Sequence, residues 1–258
     1  MNELAWIIVF SILGGALSVI AASVFLIFPK SMREVLIPHL ISFAIGALLS
    51  AALLALIPHA ADAEHMDAHN LGLTILLGVL AFFLLEKMVL WRHCHSHECE
   101  VHTPEPHHHE RAAGTLVLIG DGIHNLVDGV LIAAAFMTDF DLGVVTALAV
   151  AAHEIPQEVG DFAILLNSGY SRGRALFFNV LASLTTVVGA VIAYFSLGGV
   201  QDILPYILAV AASSFIYIAV ADLIPGLHKR LQISATLQQF ALILLGVLTI
   251  YLAHSTLH

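Results

Sequence analysis

His124-Asn125-Leu126-Val127-Asp128-Gly129 and His153-Glu154-Ile155-Pro156-Gln157-Glu158 lie in the middle of hydrophobic stretches long enough to cross a bilayer. An ionisable side chain at the centre of a membrane helix costs about 2.5–3.5 kcal/mol on insertion scales, so such residues are rare there without a function. Here His, Asn, Asp and Glu recur at spacings that place them on one helix face. Donors of that kind inside a membrane are metal-ligand chemistry. They point to an all-α polytopic membrane protein that handles a metal ion.

Composition agrees. Of 258 residues, 59% are hydrophobic and only 11% charged, against about 25% charged in a soluble domain. Mean hydropathy is +0.94. With nine Lys and Arg and a sequence pI near 5.8, nucleic acid is excluded as a partner. Cys94 and Cys99 share one His-rich connection, which favours metal or thiol chemistry over a disulfide framework. Residues 1–28 resemble a signal peptide in hydrophobicity. Their apolar run is too long, and the first residues carry Glu3 and no Lys or Arg, so they read as a retained first span.

Apolar windows of about twenty residues predict eight transmembrane helices: 4–28, 36–57, 71–91, 112–137, 142–167, 175–197, 203–224 and 235–254. The whole of 1–258 is expected to form one transmembrane domain, with 92–111 as a His/Cys-rich loop within it. All nine basic residues fall on one side of this arrangement: Lys30, Arg33, Lys87, Arg92, Arg111, Arg172, Arg174, Lys229 and Arg230. By the positive-inside rule that side is cytoplasmic and both termini face out, in a multi-pass protein of the cell membrane. The opposite side carries Glu3, Asp62, Glu64, Asp67, Asp139, Asp141 and Asp202. An acidic mouth concentrates cations; avoidance of positive charge outside accounts for it equally well.

Span 2 runs from Ile37-Pro38 to Ile57-Pro58, and span 7 from Leu204-Pro205 to Ile224-Pro225, with the prolines twenty positions apart in both. The two spans cross in opposite directions. Spans 1–3 and 6–8 are therefore expected to form an inverted repeat around a central pair, spans 4 and 5, an architecture whose sites lie at the midplane.

His124 and His153 stand equally far in sequence from the turn joining spans 4 and 5, so an antiparallel hairpin brings them to one depth. His124 and Asp128 are i, i+4 neighbours flanked by Asn125; on span 5 His153 pairs with Gln157, and Glu154 with Glu158. The candidate metal ligands are therefore His124, Asn125, Asp128, His153, Glu154, Gln157 and Glu158. His153 stands on equal footing with His124, and Asp128 is placed to bridge two adjacent metal positions. Imidazole suits zinc and other late first-row ions, and oxygen donors widen the range. Pro156 cannot donate to the Ala152 carbonyl, and a freed carbonyl at membrane depth belongs beside a cavity. Gly122 and Gly129 are expected to allow close helix approach. Asp121 and Asp161 line the path or cap helix interactions, and Asp222 reads as structural. A polar network that merely joins helices needs one His and one Asp; this set exceeds that.

Gly120-Asp-Gly-Ile-His-Asn-Leu-Val-Asp-Gly129 resembles the HNxxDG motif of the ZIP family of zinc/iron-regulated transporter-like proteins. His153-Glu-Ile-Pro-Gln-Glu-Val-Gly-Asp161 resembles the HExPHExGD motif of its larger subfamily. The resemblance covers essentially the whole chain. It implies a central, often binuclear metal site and transport into the cytoplasm, with His124, Asn125, Asp128, His153, Glu154 and position 157 as ligands. Gln157 departs from the subfamily, which has His there; an amide oxygen is a weaker, harder ligand, and Glu158 stands by to compensate. The substrate expected is Zn2+, with Fe2+, Mn2+, Cd2+ and Co2+ in range of the same donors. No cofactor is expected. The partners are divalent metal ions and the lipid bilayer, with a homodimer left open.

Between spans 3 and 4 stand His93, Cys94, His95, His97, Cys99, His102, His107, His108 and His109. Clustered His and Cys bind zinc-like ions, but these spacings match no closed structural site. The loop reads as a low-specificity metal collector or sensor. The competing reading of the chain is an intramembrane zinc metalloprotease, because His153-Glu154 begins an HExxH pattern. That pattern needs a second His at 157, where Gln stands, so the chain is read as no enzyme. No G-x-x-x-x-G-K-[ST] motif is present for direct ATP coupling.

Overall fold

The computed structural model describes residues 2–25, 27–94, 106–228 and 232–257. Among them every regular element is a helix. Span 1 consists of α1 (Glu3–Gly14) and α2 (Ala16–Phe25), which bend at Gly15. Span 2 is α3 (Lys30–Ser50), a π-helical segment (Ala51–Leu56) and α4 (Ile57–Ala61). Spans 3, 4 and 5 are α5 (Ala68–Cys94), α6 (Pro106–Thr138) and α7 (Phe140–Asn167). Span 6 is α8 (Arg172–Ser183) and α9 (Thr185–Leu197). Span 7 is α10 (Leu204–Tyr217), a second π-helical segment (Ile218–Leu223) and α11 (Ile224–Leu227), and span 8 is α12 (Ile233–Leu257).

Seven helical stretches among the described residues are long and apolar enough to cross a membrane. The eighth, α7, has 28 residues but carries Asp141, Glu154, Glu158 and Asp161, so composition alone passes it over. The protein is thus a polytopic all-α membrane protein, as the hydropathy pattern predicts. The spans are longer than the apolar windows. In particular, α5 and α6 take in residues 92–94 and 106–111, both ends of the connection read as a loop; 95–105, with His95, His97, Cys99 and His102, lie outside the described residues.

The repeat is visible in the packing. Span 8 lies along span 2 and span 7 along span 3, while span 6 lies along span 4 and span 1 along span 5. Exchanging 1 with 6, 2 with 7, 3 with 8 and 4 with 5 turns each of these pairs into another. The π-helical segments fall at matching places as well, each six residues long and each followed directly by Ile-Pro. Proline has no N–H and its ring crowds the carbonyl four residues back. A locally widened turn relieves that crowding, and such π turns recur at functional sites.

Among the described residues, two crossings have glycine on both helices. A Cβ on Gly129 would collide with the Thr186 carbonyl, and one on Gly189 with the Leu126 carbonyl, so spans 4 and 6 touch backbone to backbone. Gly46 and Gly246 do the same for spans 2 and 8, against the carbonyls of Ile243 and Phe43. Small residues at membrane helix interfaces gain packing that lipid does not offer. The outward faces of α5 and α12 expose Leu76, Leu77, Leu80, Leu84, Leu244, Leu245 and Leu248, the apolar belt expected where lipid is the solvent.

Candidate metal centre

The turn between spans 4 and 5 sets the register of the centre. Asp139 caps α7 by accepting hydrogen bonds from the backbone N–H groups of Asp141 at 2.9 Å and Leu142 at 3.0 Å. That satisfies donors which a helix start otherwise leaves unpaired and lets the chain reverse within one residue. His124 and His153 then meet, with their Nε2 atoms 3.2 Å apart. His153 Nδ1 lies 3.1 Å from the Ala149 carbonyl. A carbonyl only accepts, so Nδ1 carries the proton and Nε2 presents its lone pair to the centre. Backbone anchoring of this kind is how metal-binding imidazoles are held in one tautomer and orientation.

Two carboxylates complete a group of four. His153 Nε2 lies 3.1 Å from Asp128 Oδ2 and 3.6 Å from Glu154 Oε1. His124 Nε2 lies 3.6 Å from Asp128 Oδ2 and 3.5 Å from Glu154 Oε1. A tetrahedron of donors about 2.0–2.1 Å from a zinc ion has edges of about 3.3 Å. Five of the six edges here, from 3.1 to 3.6 Å, bracket that value.

A second group adjoins the first. Ligand-capable atoms of Asp121, Glu154 and Glu158 lie within 4.8 Å of one another. Glu154 is the carboxylate that belongs to both groups. Asp128, given the bridging part on sequence grounds, sits with the two imidazoles. Asp128, Glu154 and Glu158 are fully buried. No described residue donates a hydrogen bond to either oxygen of Glu154 or Glu158, or to Asp121 Oδ2. Buried carboxylates in a native protein are paired or coordinate metal.

Asn125 and Gln157 stand on the Asp121 side. Asn125 Nδ2 donates to Asp121 Oδ1 at 2.9 Å, and Asn125 Oδ1 accepts from Thr186 Oγ1 of span 6 at 2.7 Å. Gln157 Nε2 approaches Asp121 Oδ1 at 3.4 Å. Asp121 is therefore closer to the chemistry than its sequence position suggested. Its place four residues before Asn125 and seven before Asp128, on the same helix face, was the available signal. Thr186 carried none, because it arrives from another span. Of the two glycines on span 4, Gly129 makes the close approach, while a Cβ on Gly122 would meet only ordinary contact with Thr185.

A cavity of about 500 Å3 leads to the centre. His124, Val127 and His153 line its inner end, and it extends past Asp121, Pro156, Gln157 and Asp161 toward Val117 and Leu85. It thus opens on the half of the protein where α5 ends and α6 begins. Across from the centre its wall holds Asp222 and Glu86, whose carboxylate accepts a hydrogen bond from the Tyr217 hydroxyl. Asp222, read from sequence as structural, faces this cavity. On the other half of the membrane the same helices are closed by packing: Leu48, Ala51, Leu56, Leu131, Ile132, Leu142, Val145 and Ala149 are buried.

Sequence comparison connects this geometry to known proteins. Residues 91–254 match the family described as ZIP Zinc transporter. Zinc transporter ZIP13 of Pongo abelii is 31% identical over 227 residues, covering 83% of this chain and 66% of that protein. Zinc transporter zipt-7.1 of Caenorhabditis briggsae is 31% identical over 246 residues, covering 73% of this chain and 61% of that protein. Zinc transporter foi of Drosophila melanogaster is 40% identical over 141 residues, 54% of this chain and 19% of that protein. The chain spans less than two thirds of the length of each of these relatives.

Proposed function

The chain belongs to the ZIP zinc transporter family, and from that membership we propose that it carries divalent metal cations, zinc first among them, across the membrane into the cytoplasm. The observation that supports this most is the buried group of His124, Asp128, His153 and Glu154, with donor atoms at tetrahedral spacing at the inner end of a cavity. The ion is substrate, held by two imidazoles and two carboxylates. Asp121, Glu154 and Glu158 provide a second position, with Asn125 and Gln157 orienting Asp121.

The distribution of basic residues supports a cytoplasmic cavity mouth with both termini outside, by the positive-inside rule. A dication moving inward gains about 2 × 2.3 kcal/mol per 100 mV of inside-negative potential, so no nucleotide is needed. A protease reading is disfavoured by the source of the second imidazole. It comes from His124 on a different helix, while position 157 of the HExxH pattern holds Gln.

Uptake into sealed vesicles across a panel of divalent ions tests the proposal. Saturable zinc influx that other divalent ions compete for is expected. Vesicles with folded, inserted protein and no influx above protein-free vesicles would refute it.

A further inference from the structure

His59 and His254 form a second imidazole pair, far from the centre. His59 lies in α4, just past Pro58, and His254 lies in the last turns of α12. Their ring centres are 5.5 Å apart with an interplanar angle of 63°. The central pair, His124 and His153, has ring centres 5.4 Å apart at 82°. Two imidazoles sharing one tetrahedral ion at about 2.0–2.1 Å put their ring centres about 5 Å apart.

The orientation matches too. His59 Nδ1 lies 2.9 Å from the carbonyl of Ala55, four residues back, just as His153 Nδ1 lies on the carbonyl of Ala149. The carbonyl accepts, so His59 carries a proton on Nδ1, which leaves Nε2 as the ring nitrogen suited to a metal ion. Both side chains are half-buried. The chain continues from α4 directly into the exposed segment Asp62, Glu64, His65 and Asp67, whose negative charge favours cations nearby. None of these residues lines the cavity that reaches the centre.

We infer that His59 and His254 form a separate binding site for a zinc-class divalent cation, at the end of the protein opposite the cavity mouth. Imidazole nitrogen selects late first-row ions over Mg2+ and Ca2+, and water completes the coordination. A bound ion ties α12 to α4, the short helix that follows the π-helical turn of span 2. The site does not depend on the transport proposal, since no residue is shared.

Histidine modification by diethylpyrocarbonate, read peptide by peptide by mass spectrometry on the full chain in lipid nanodiscs, tests it. Zn2+ at about ten times the dissociation constant occupies about nine-tenths of a single site. It should therefore slow modification of His59 and His254 about tenfold, with one common midpoint, while Mg2+ does not. In His254→Ala and His254→Gln, with folding checked by circular dichroism, His59 should lose its zinc protection. In Asp128→Ala, protection of both should persist even if transport is lost. Zinc protection of His59 that is absent in the wild type, or that survives removal of the His254 imidazole, would overturn the inference.

Discussion

Thr186 of α9 donates a hydrogen bond to Asn125 of α6 at 2.7 Å, and both side chains are fully buried. The amide is thereby fixed with its nitrogen toward Asp121. One hydroxyl on span 6 thus determines how a carboxylate of the second group is presented. Thr186→Val keeps the shape and removes the donor. An unpaired buried acceptor costs about 1–3 kcal/mol. The expected outcome is a lower thermal midpoint and a raised apparent KM for zinc uptake, with Thr186→Ser restoring both. Wild-type uptake kinetics in Thr186→Val would show that Asn125 needs no outside support.

Asp128 lies 3.1 Å from His153 Nε2 and 3.6 Å from His124 Nε2. Asp128→Ala removes one donor and one negative charge from the proposed first position. Uptake per inserted molecule should fall by about tenfold or more, as each 1.4 kcal/mol of lost ion stabilisation is a factor of ten. Quantifying flux against folded protein in the membrane is the measurement. Flux equal to wild type would remove Asp128 from the site.

Gln157 faces Asp121 and lines the cavity, so Gln157→His adds an imidazole beside Asp121, Glu154 and Glu158. Nitrogen in place of a neutral amide favours Zn2+ over harder ions such as Mn2+. A lower apparent KM for zinc, an equal or smaller maximal rate, and a raised zinc-to-manganese ratio are expected. Initial rates measured against both ions decide the matter. If neither KM nor the ratio moves, position 157 does not meet the metal.

Gly129 and Thr186 touch through the backbone. Gly129→Leu must push spans 4 and 6 apart, and overpacking of this kind costs about 1–3 kcal/mol. The variant should unfold at lower temperature and transport less per folded molecule. The matching change Gly122→Ala should leave thermal stability near wild type, because a Cβ there meets only Thr185 at ordinary contact distance.

Replacing the His and Cys residues of 93–109 by Ser should alter apparent affinity or regulation more than the existence of transport. The four-donor group of His124, Asp128, His153 and Glu154 is complete without them. Uptake curves over a range of zinc concentrations provide the check. Complete loss of flux in folded protein would place them in the pathway.

Membrane insertion, helix count and the central pair were legible in the sequence for a simple reason. A bilayer demands about twenty apolar residues per crossing, and ionisable residues inside such a run stand out against it. The equal distances of His124 and His153 from one short turn foretold their meeting, because a hairpin converts sequence distance into depth. The proline spacing foretold the repeat, though not the π-helical turns in front of Pro58 and Pro225, which depend on how each ring is accommodated.

Other relationships waited for the tertiary structure. Which carboxylate is shared between the two groups depends on the rotation of α6 against α7, a matter of side-chain packing that periodicity does not encode. That rotation gives the shared position to Glu154 and leaves Asp128 with the imidazoles. Thr186, Glu86 and Asp222 come to the site and its cavity from spans 3, 6 and 7, and His254 comes to His59 from the far end of the chain. Contacts between distant segments arise only when close glycine crossings and apolar packing fix the helices side by side. The sequence by itself determined a polytopic membrane protein with His, Asn, Asp and Glu side chains gathered on its central pair of spans. Only the packing of its eight spans decided which donors face one another and from which side the centre is reached.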